Sequence, residues 1–136
     1  MGLKISLKPG ERIIIGGAVI KNGRVKSDFV IQNTVPVLRE KDIMASKEAD
    51  SPCKRIYFAI QLMYVDEKNI EEHRRTYWKL VKDIVEAAPS TLGVIDRVND
   101  HILHDRYYQA LKLAKDLIAY EQEAISRVRS ATTGNL

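Results

Sequence analysis

The chain has a single cysteine, Cys53, among its 136 residues. That excludes an internal disulfide and makes a reducing cytoplasm the expected compartment. No run of about 18 apolar residues occurs, so no membrane-spanning helix is expected. The opening "MGLKISLKPG" lacks the apolar block of a secretory leader. Paired cysteines are absent, and no carboxylate pair stands out as an acid–base dyad. "GERIIIGG" carries glycines near a strand but lacks the GK[ST] end of a phosphate loop, and no helix follows it. Gly16-Gly17 is read as a tight turn instead. Internal repeats and low-complexity segments are also missing.

What is present describes a globular protein. Hydrophobic residues make up 45% and charged residues 29%, and the net charge is +4. The length suits one domain, or one small domain with an appendage. The charge is unevenly placed. Residues 1–41 hold eight cations (Lys4, Lys8, Lys21, Lys26, Lys41, Arg12, Arg24, Arg39) against Glu11, Asp28 and Glu40, a net +5 that leaves −1 for the rest. Such asymmetry favours a polyanionic partner.

Periodicity divides the chain at the same place. In "LKISLK", Leu3, Ile5 and Leu7 alternate with Lys4, Ser6 and Lys8, the pattern of a half-buried strand. "PGE" is a turn, "RIIIG" and "DFVIQN" are strands, and Asn22-Gly23 is a hairpin signal. "TVPVLREKDI" is a further strand, and Pro36 confines it to a sheet edge. The segment 41–52 is polar and links two parts. Ser51-Pro52 then supplies a cap and a first helical residue. "CKRIYFAIQLMYV" is apolar nearly all round, as in a helix buried between neighbours. Three more helices follow. Ile70, Tyr77, Val81, Ile84 and Val85 share a face of the second, which Pro89 stops. Ser90 is placed as the cap of the third, with Leu92, Ile95, Val98 and Ile102 inward. The fourth is expected over about 105–129, with Leu111, Ala114, Ile118, Ile125 and Val128 along one apolar stripe.

The expected fold class is therefore α+β: a small antiparallel β-sheet or barrel module over residues 1–45, then an all-helical region over 51–130 of about four helices. The tail 131–136 is expected to fray.

Several groups carry chemistry. His101 and His104 are three apart, which allows a metal pair, but a third ligand is missing and they are read as surface histidines. Lys54-Arg55 beside Cys53 would lower its pKa slightly, yet a buried structural thiol is the preferred reading. Tyr77-Trp78 and Tyr107-Tyr108 have the chemistry to stack on nucleobases. At helical spacing they are read as core or interface residues. The basic strands are more informative. Lys4, Ser6 and Lys8 share one face, and Arg39 ends the last strand. If those strands are neighbours, the cations line one edge, arginine offering a bidentate fork and lysines point charges for phosphate. Arg12, Lys21, Arg24 and Lys26 would add peripheral phosphate contacts.

"LKISLKPGERIIIGGAVI", "VLREKDI" and "SPCKRIYFAIQLMYVD" together resemble the FlbT family of flagellar regulators, over nearly the whole chain. The resemblance implies a post-transcriptional regulator that binds the 5′ untranslated leader of flagellin mRNA and represses translation or promotes mRNA decay. It implies no enzyme activity, metal or cofactor, and it makes flagellin or FlaF a possible protein partner. The N-terminal module is also similar, more distantly, to the carbon storage regulator family, small β-proteins that dimerise by strand exchange and bind GGA-containing leaders. On that resemblance Arg39 matches an arginine of the family's last strand, Lys8 a basic residue of its first, and Ser6 a hydroxyl residue. Leu7 departs from an arginine and Leu38 from a histidine, so what carries over is a basic RNA-facing edge. A homodimer or higher homo-oligomer is expected. The rival expectation is a protein-interaction adaptor whose effect on mRNA is indirect. An Arg39 buried in an ion pair would favour it.

Overall fold

The structure is a computed structural model and describes residues 2–134, with side chains through residue 129. Five strands, β1 (Leu3–Leu7), β2 (Arg12–Ile15), β3 (Ala18–Lys21), β4 (Ser27–Ile31) and β5 (Val37–Arg39), precede four helices. The helices are α1 (Pro52–Val65), α2 (Ile70–Ala87), α3 (Leu92–Leu103) and α4 (Tyr107–Gly134). The fold is α+β, as expected.

The strands form two antiparallel sheets rather than one. β1 pairs with β4 as a ribbon, and β2 lies between β3 and β5 in a three-stranded sheet. Alternation decides how they stack. Ile13 and Ile15 of β2, with Val37 of β5, turn toward the ribbon and meet Ile5, Leu7, Phe29 and Ile31. Ile14 and Leu38 turn the other way and join the helical core. The three-stranded sheet is thus the middle layer, with the ribbon on one face and the helices on the other.

Turn chemistry explains the connections. Gly16 and Gly17 sit at φ 56° and 86° and close the β2–β3 hairpin, with Ile15 opposite Ala18. Consecutive positive φ values are what a two-residue hairpin turn demands. Asn22-Gly23 does not make the expected hairpin, since β3 and β4 belong to different sheets. Its work is different: the Asn22 amide donates to the carbonyls of Leu7, Lys8 and Val25 and accepts from Ser27 Oγ. One side chain thereby ties the crossing loop to the turn after β1.

Ser51 caps α1 as expected, its hydroxyl accepting from Lys54 N at 3.3 Å, and Pro52 opens the helix. The Glu121 carboxylate of α4 reinforces this end, taking hydrogen bonds from Ser51 Oγ and, at 3.1 Å, from Cys53 N. A carboxylate at a helix N-terminus is favoured by the exposed N–H groups there. Cys53, Ile56, Ala59, Ile60 and Met63 are buried, so α1 is the central helix.

Three helix expectations are corrected. Ser90 does not cap α3: residues 89–91 form a 3₁₀ turn, and the Ser90 hydroxyl bonds to Tyr120 Oη at 2.8 Å. Leu92 is exposed, because the turn shifts the buried stripe to Ile95, Val98 and Ile102. Ile125 and Val128 are exposed as well, because the part of α4 beyond Glu121 extends past the helices that would cover it. The helical backbone continues to Gly134, and the last two residues of the expected tail lie outside the described residues.

Candidate nucleic-acid interface

The free edges of β1 and β5 face each other across the join between the two sheets. They are not paired through a backbone ladder: β1 pairs with β4 and β5 with β2, so the condition that the first and last strands be neighbours is not met by hydrogen-bonded pairing. What bridges them is Arg39. Its Nη2 donates to the Ser6 carbonyl at 2.9 Å and lies 3.6 Å from Glu11 Oε2. The side chain remains 38% exposed, so this is a partly open ion pair rather than a buried one. Arg39 Nε is buried without a hydrogen-bond partner among the described residues.

Glu11 is itself held in place. Its Oε1 accepts from Lys8 N at 2.9 Å. That backbone hydrogen bond, and next the Arg39 charge, keep its carboxyl below the usual glutamate range. Gly10, at φ 73°, makes the turn that brings Glu11 back toward Lys8. Lys8, Gly10, Glu11, Arg39, Glu40 and Lys41 line an open depression of about 580 Å³. Strand β1 ends at Leu7, so Lys8 lies in this turn rather than on the strand face with Lys4 and Ser6.

The other expected cations distribute around this depression. Arg12 stands directly opposite Lys21 across β2 and β3, a like-charge pair that an anion would relieve. Arg12 N donates to Glu40 Oε1 at 3.2 Å, which places the pair's strand end beside the depression. Arg24 and Lys26 are exposed on the loop whose Gly23 carbonyl accepts from Gly10 N at 3.0 Å. Ser6 does not offer its hydroxyl outward unpartnered: it bonds to Asp28 on the adjacent strand. Leu7 and Leu38, where the carbon storage family has polar residues, are both core residues here.

A second hollow of about 370 Å³ adjoins the first through Arg39. Lys4, Val35, Val37, Tyr64 and Tyr108 help to line it. Sequence reasoning left the helical side chains out of the site. The Tyr64 hydroxyl donates to the Val37 carbonyl at 3.3 Å and accepts from Val37 N at 3.1 Å, so α1 fixes the edge strand directly. Lys112 Nζ lies 4.9 Å from the centroid of the Tyr108 ring. The spacing of four between Tyr108 and Lys112 was the legible signal for this pair.

The remaining chemical groups are structural. Burial, then the nearby Glu121 charge, pushes the Cys53 thiol up to about 12, against the slight lowering expected from Lys54-Arg55. Tyr77 is buried and bonds to Asn99, while Tyr107 Oη accepts from Arg74 at 3.0 Å. His73 Nε2 sits 2.8 Å from Asp66 Oδ2, and hydrogen bonds from Asn69 and then His73 lower the Asp66 carboxyl. No cluster of three metal-ligating side chains occurs among the described residues. Nor is any helix there long and apolar enough to cross a membrane.

Residues 3–125 match the family described as "Flagellar protein FlbT". The chain is 45% identical over 124 residues to the "Probable flagellum biosynthesis repressor protein FlbT 1" of Bradyrhizobium diazoefficiens, covering 90% of this chain and 84% of that protein. It is 40% identical to the corresponding protein of Rhodopseudomonas palustris, covering 93% of this chain and all of that one. It is 36% identical to the "Flagellum biosynthesis repressor protein FlbT" of Caulobacter vibrioides, covering 98% and 96%. No solved structure is a significant match. On this similarity, which spans nearly every element described above, the chain belongs to the FlbT family.

Proposed function

We propose that this protein represses flagellum biosynthesis by binding the 5′ untranslated leader of flagellin mRNA, blocking initiation or exposing the message to decay. The reading places it in the cytoplasm, needs no cofactor and assigns no enzymatic activity. The repressor names of its relatives support the process, and one observation supports the chemistry. Arg39 stands between two adjoining hollows whose rims also carry Lys4, Lys8 and Lys41.

Glu11 shapes what Arg39 does. The pair is close to neutral, so it attracts a phosphate less than a free arginine would. A guanidinium held by a carboxylate and a carbonyl is already oriented, and its Nη1 group is left to donate to an acceptor on the edge of a guanine. Lys4, Lys8 and Lys41 then neutralise phosphates, with Arg12, Lys21, Arg24 and Lys26 at the periphery.

The test is a fluorescence-anisotropy titration with labelled flagellin-leader RNA against a scrambled RNA. With three or four phosphates neutralised, affinity falls with salt at a log–log slope of about −2 to −3. Arg39→Ala costs about 1–3 kcal/mol on the leader RNA and reduces the preference over the scrambled one. Equal weak binding to both RNAs that vanishes with salt would refute the reading.

A second reading, the protein-interaction adaptor, draws on β3. That strand is an open edge carrying Val19 and Ile20, both exposed. Such an edge can take up a strand from flagellin, FlaF or a second copy of this chain. Flagellin binding that survives Arg39→Ala, without RNA binding, would favour it.

A further inference from the structure

The geometry points to Tyr108 as a base-stacking platform, through which the helical half of the molecule joins in binding single-stranded RNA. The inference rests on the RNA-binding reading above and assigns part of the site to a helix that the basic strands do not include.

Four observations carry it. Tyr108 lies in the first turn of α4 and is 36% exposed, a large ring left at the surface of a hollow. The ring is held in place: Tyr64 packs against it at 6.5 Å between centroids and 42° between planes, and Tyr64 is itself anchored to β5. The residues lining this hollow include the cations Lys4 and Arg39 and no carboxylate, whereas the depression on the other side of Arg39 includes Glu11 and Glu40. Lys112 places its ammonium over the Tyr108 ring.

These features match what a single strand requires: a positive track for the backbone and aromatic faces for the bases. They also suggest a sequence of events. An exposed ammonium–ring contact is weak, and stacking of a base on the same ring is stronger. A base stacking on the Tyr108 ring leaves the Lys112 ammonium, on its flexible stem, within reach of a neighbouring phosphate. Arg39, shared by both hollows, would contact the adjacent nucleotide.

The experiment uses the full chain and fluorescein-labelled flagellin-leader RNA, together with the same RNA carrying 2-aminopurine. Tyr108→Ala and Tyr108→Leu should each weaken binding about 5- to 100-fold, the equivalent of one lost stack. Both should abolish the 2-aminopurine quenching seen with the unaltered protein. Tyr108→Phe should bind normally, because it keeps the ring. Neither the alanine nor the leucine variant should change the salt slope, while Lys112→Ala should reduce it by about 0.7. If Tyr108→Leu retains affinity and quenching while Arg39→Ala loses binding, the stacking role is overturned and the RNA reading stands. If the unaltered protein does not bind the leader RNA, both fall. If Tyr108→Leu loses binding to purified flagellin but not to RNA, the hollow is a protein-docking surface and the stacking role is overturned.

Discussion

Among the described residues, eighteen buried side chains form the core under the helices, while only Ile5, Leu7 and Ile13 are buried between the two sheets. The β-module also leaves Leu3, Val19, Val25 and Val30 exposed. The two regions therefore divide the work. Helices supply most of the apolar burial, and the small sheets supply the charged rims. A three-residue core would hold such a charged module weakly by itself. The helices compensate by reaching across. Ile14 and Leu38 enter the helical core, and Tyr57 Oη donates to the Asp42 carbonyl at 2.6 Å. Gln61 makes paired hydrogen bonds with the Met44 backbone, at 2.8 and 3.0 Å. The basic edge is thus positioned by helix side chains, and Tyr64 is the most direct of these.

The largest way to break this picture is Leu38→Ala. Leu38 is fully buried on the helix-facing side of β5. Its truncation should cost about 2–5 kcal/mol by lost burial and the cavity left behind. The sheets and helices should still unfold in one transition, followed by Trp78 fluorescence and far-ultraviolet circular dichroism together. Two separate transitions would show that the regions do not share a core.

A smaller effect comes from the link between them. Asp42 is buried and paired with Lys115 of α4. Lys115→Met leaves the carboxylate buried without that partner and should cost about 1–3 kcal/mol. Adding Asp42→Asn should recover part of the loss in urea denaturation. Additive losses in the double variant would mean that the pair contributes nothing.

The smallest effect sharpens the comparison through pH. Glu11 in the β-module and Asp66 between α1 and α2 both have carboxyl pKa values below their ordinary 4.5 and 3.8. A lowered folded-state pKa stabilises the protein above the unfolded value, and the gain is lost as pH falls through the folded one. Stability should thus decline below about pH 4.5, more gently in Glu11→Gln and in Asp66→Asn. A Glu11→Gln acid limb identical to that of the unaltered protein would show that the carboxylate makes no net contribution at the edge.

Much of the fold was legible locally. Ser51-Pro52 and Gly16-Gly17 act through their own backbone chemistry, and the buried faces of α1 and α2 follow from spacing. The misreadings share a cause. Asn22-Gly23 has the composition of a hairpin, but the Asn22 amide finds partners 15 and 14 residues back in the chain, at Leu7 and Lys8. Leu92, Ile125 and Val128 fit an apolar period, yet periodicity does not say where a neighbouring helix stops. In the site, Lys8 and Arg39 were legible because a proline and a charge mark an edge strand. Tyr64 was not, since it comes from a helix far along the chain, and for Tyr108 and Lys112 the aromatic chemistry and the spacing of four were legible but their place beside Arg39 was not.

The sequence by itself determined the α+β division, the basic N-terminal third and the edge position of Arg39, because composition, period and proline act over a few residues. Only the tertiary structure decided that two sheets form, that Glu11 neutralises Arg39 and that aromatic rings from α1 and α4 line the groove beside it. Those outcomes depend on which distant surfaces bury each other, and burial is a property of the packed chain rather than of any segment.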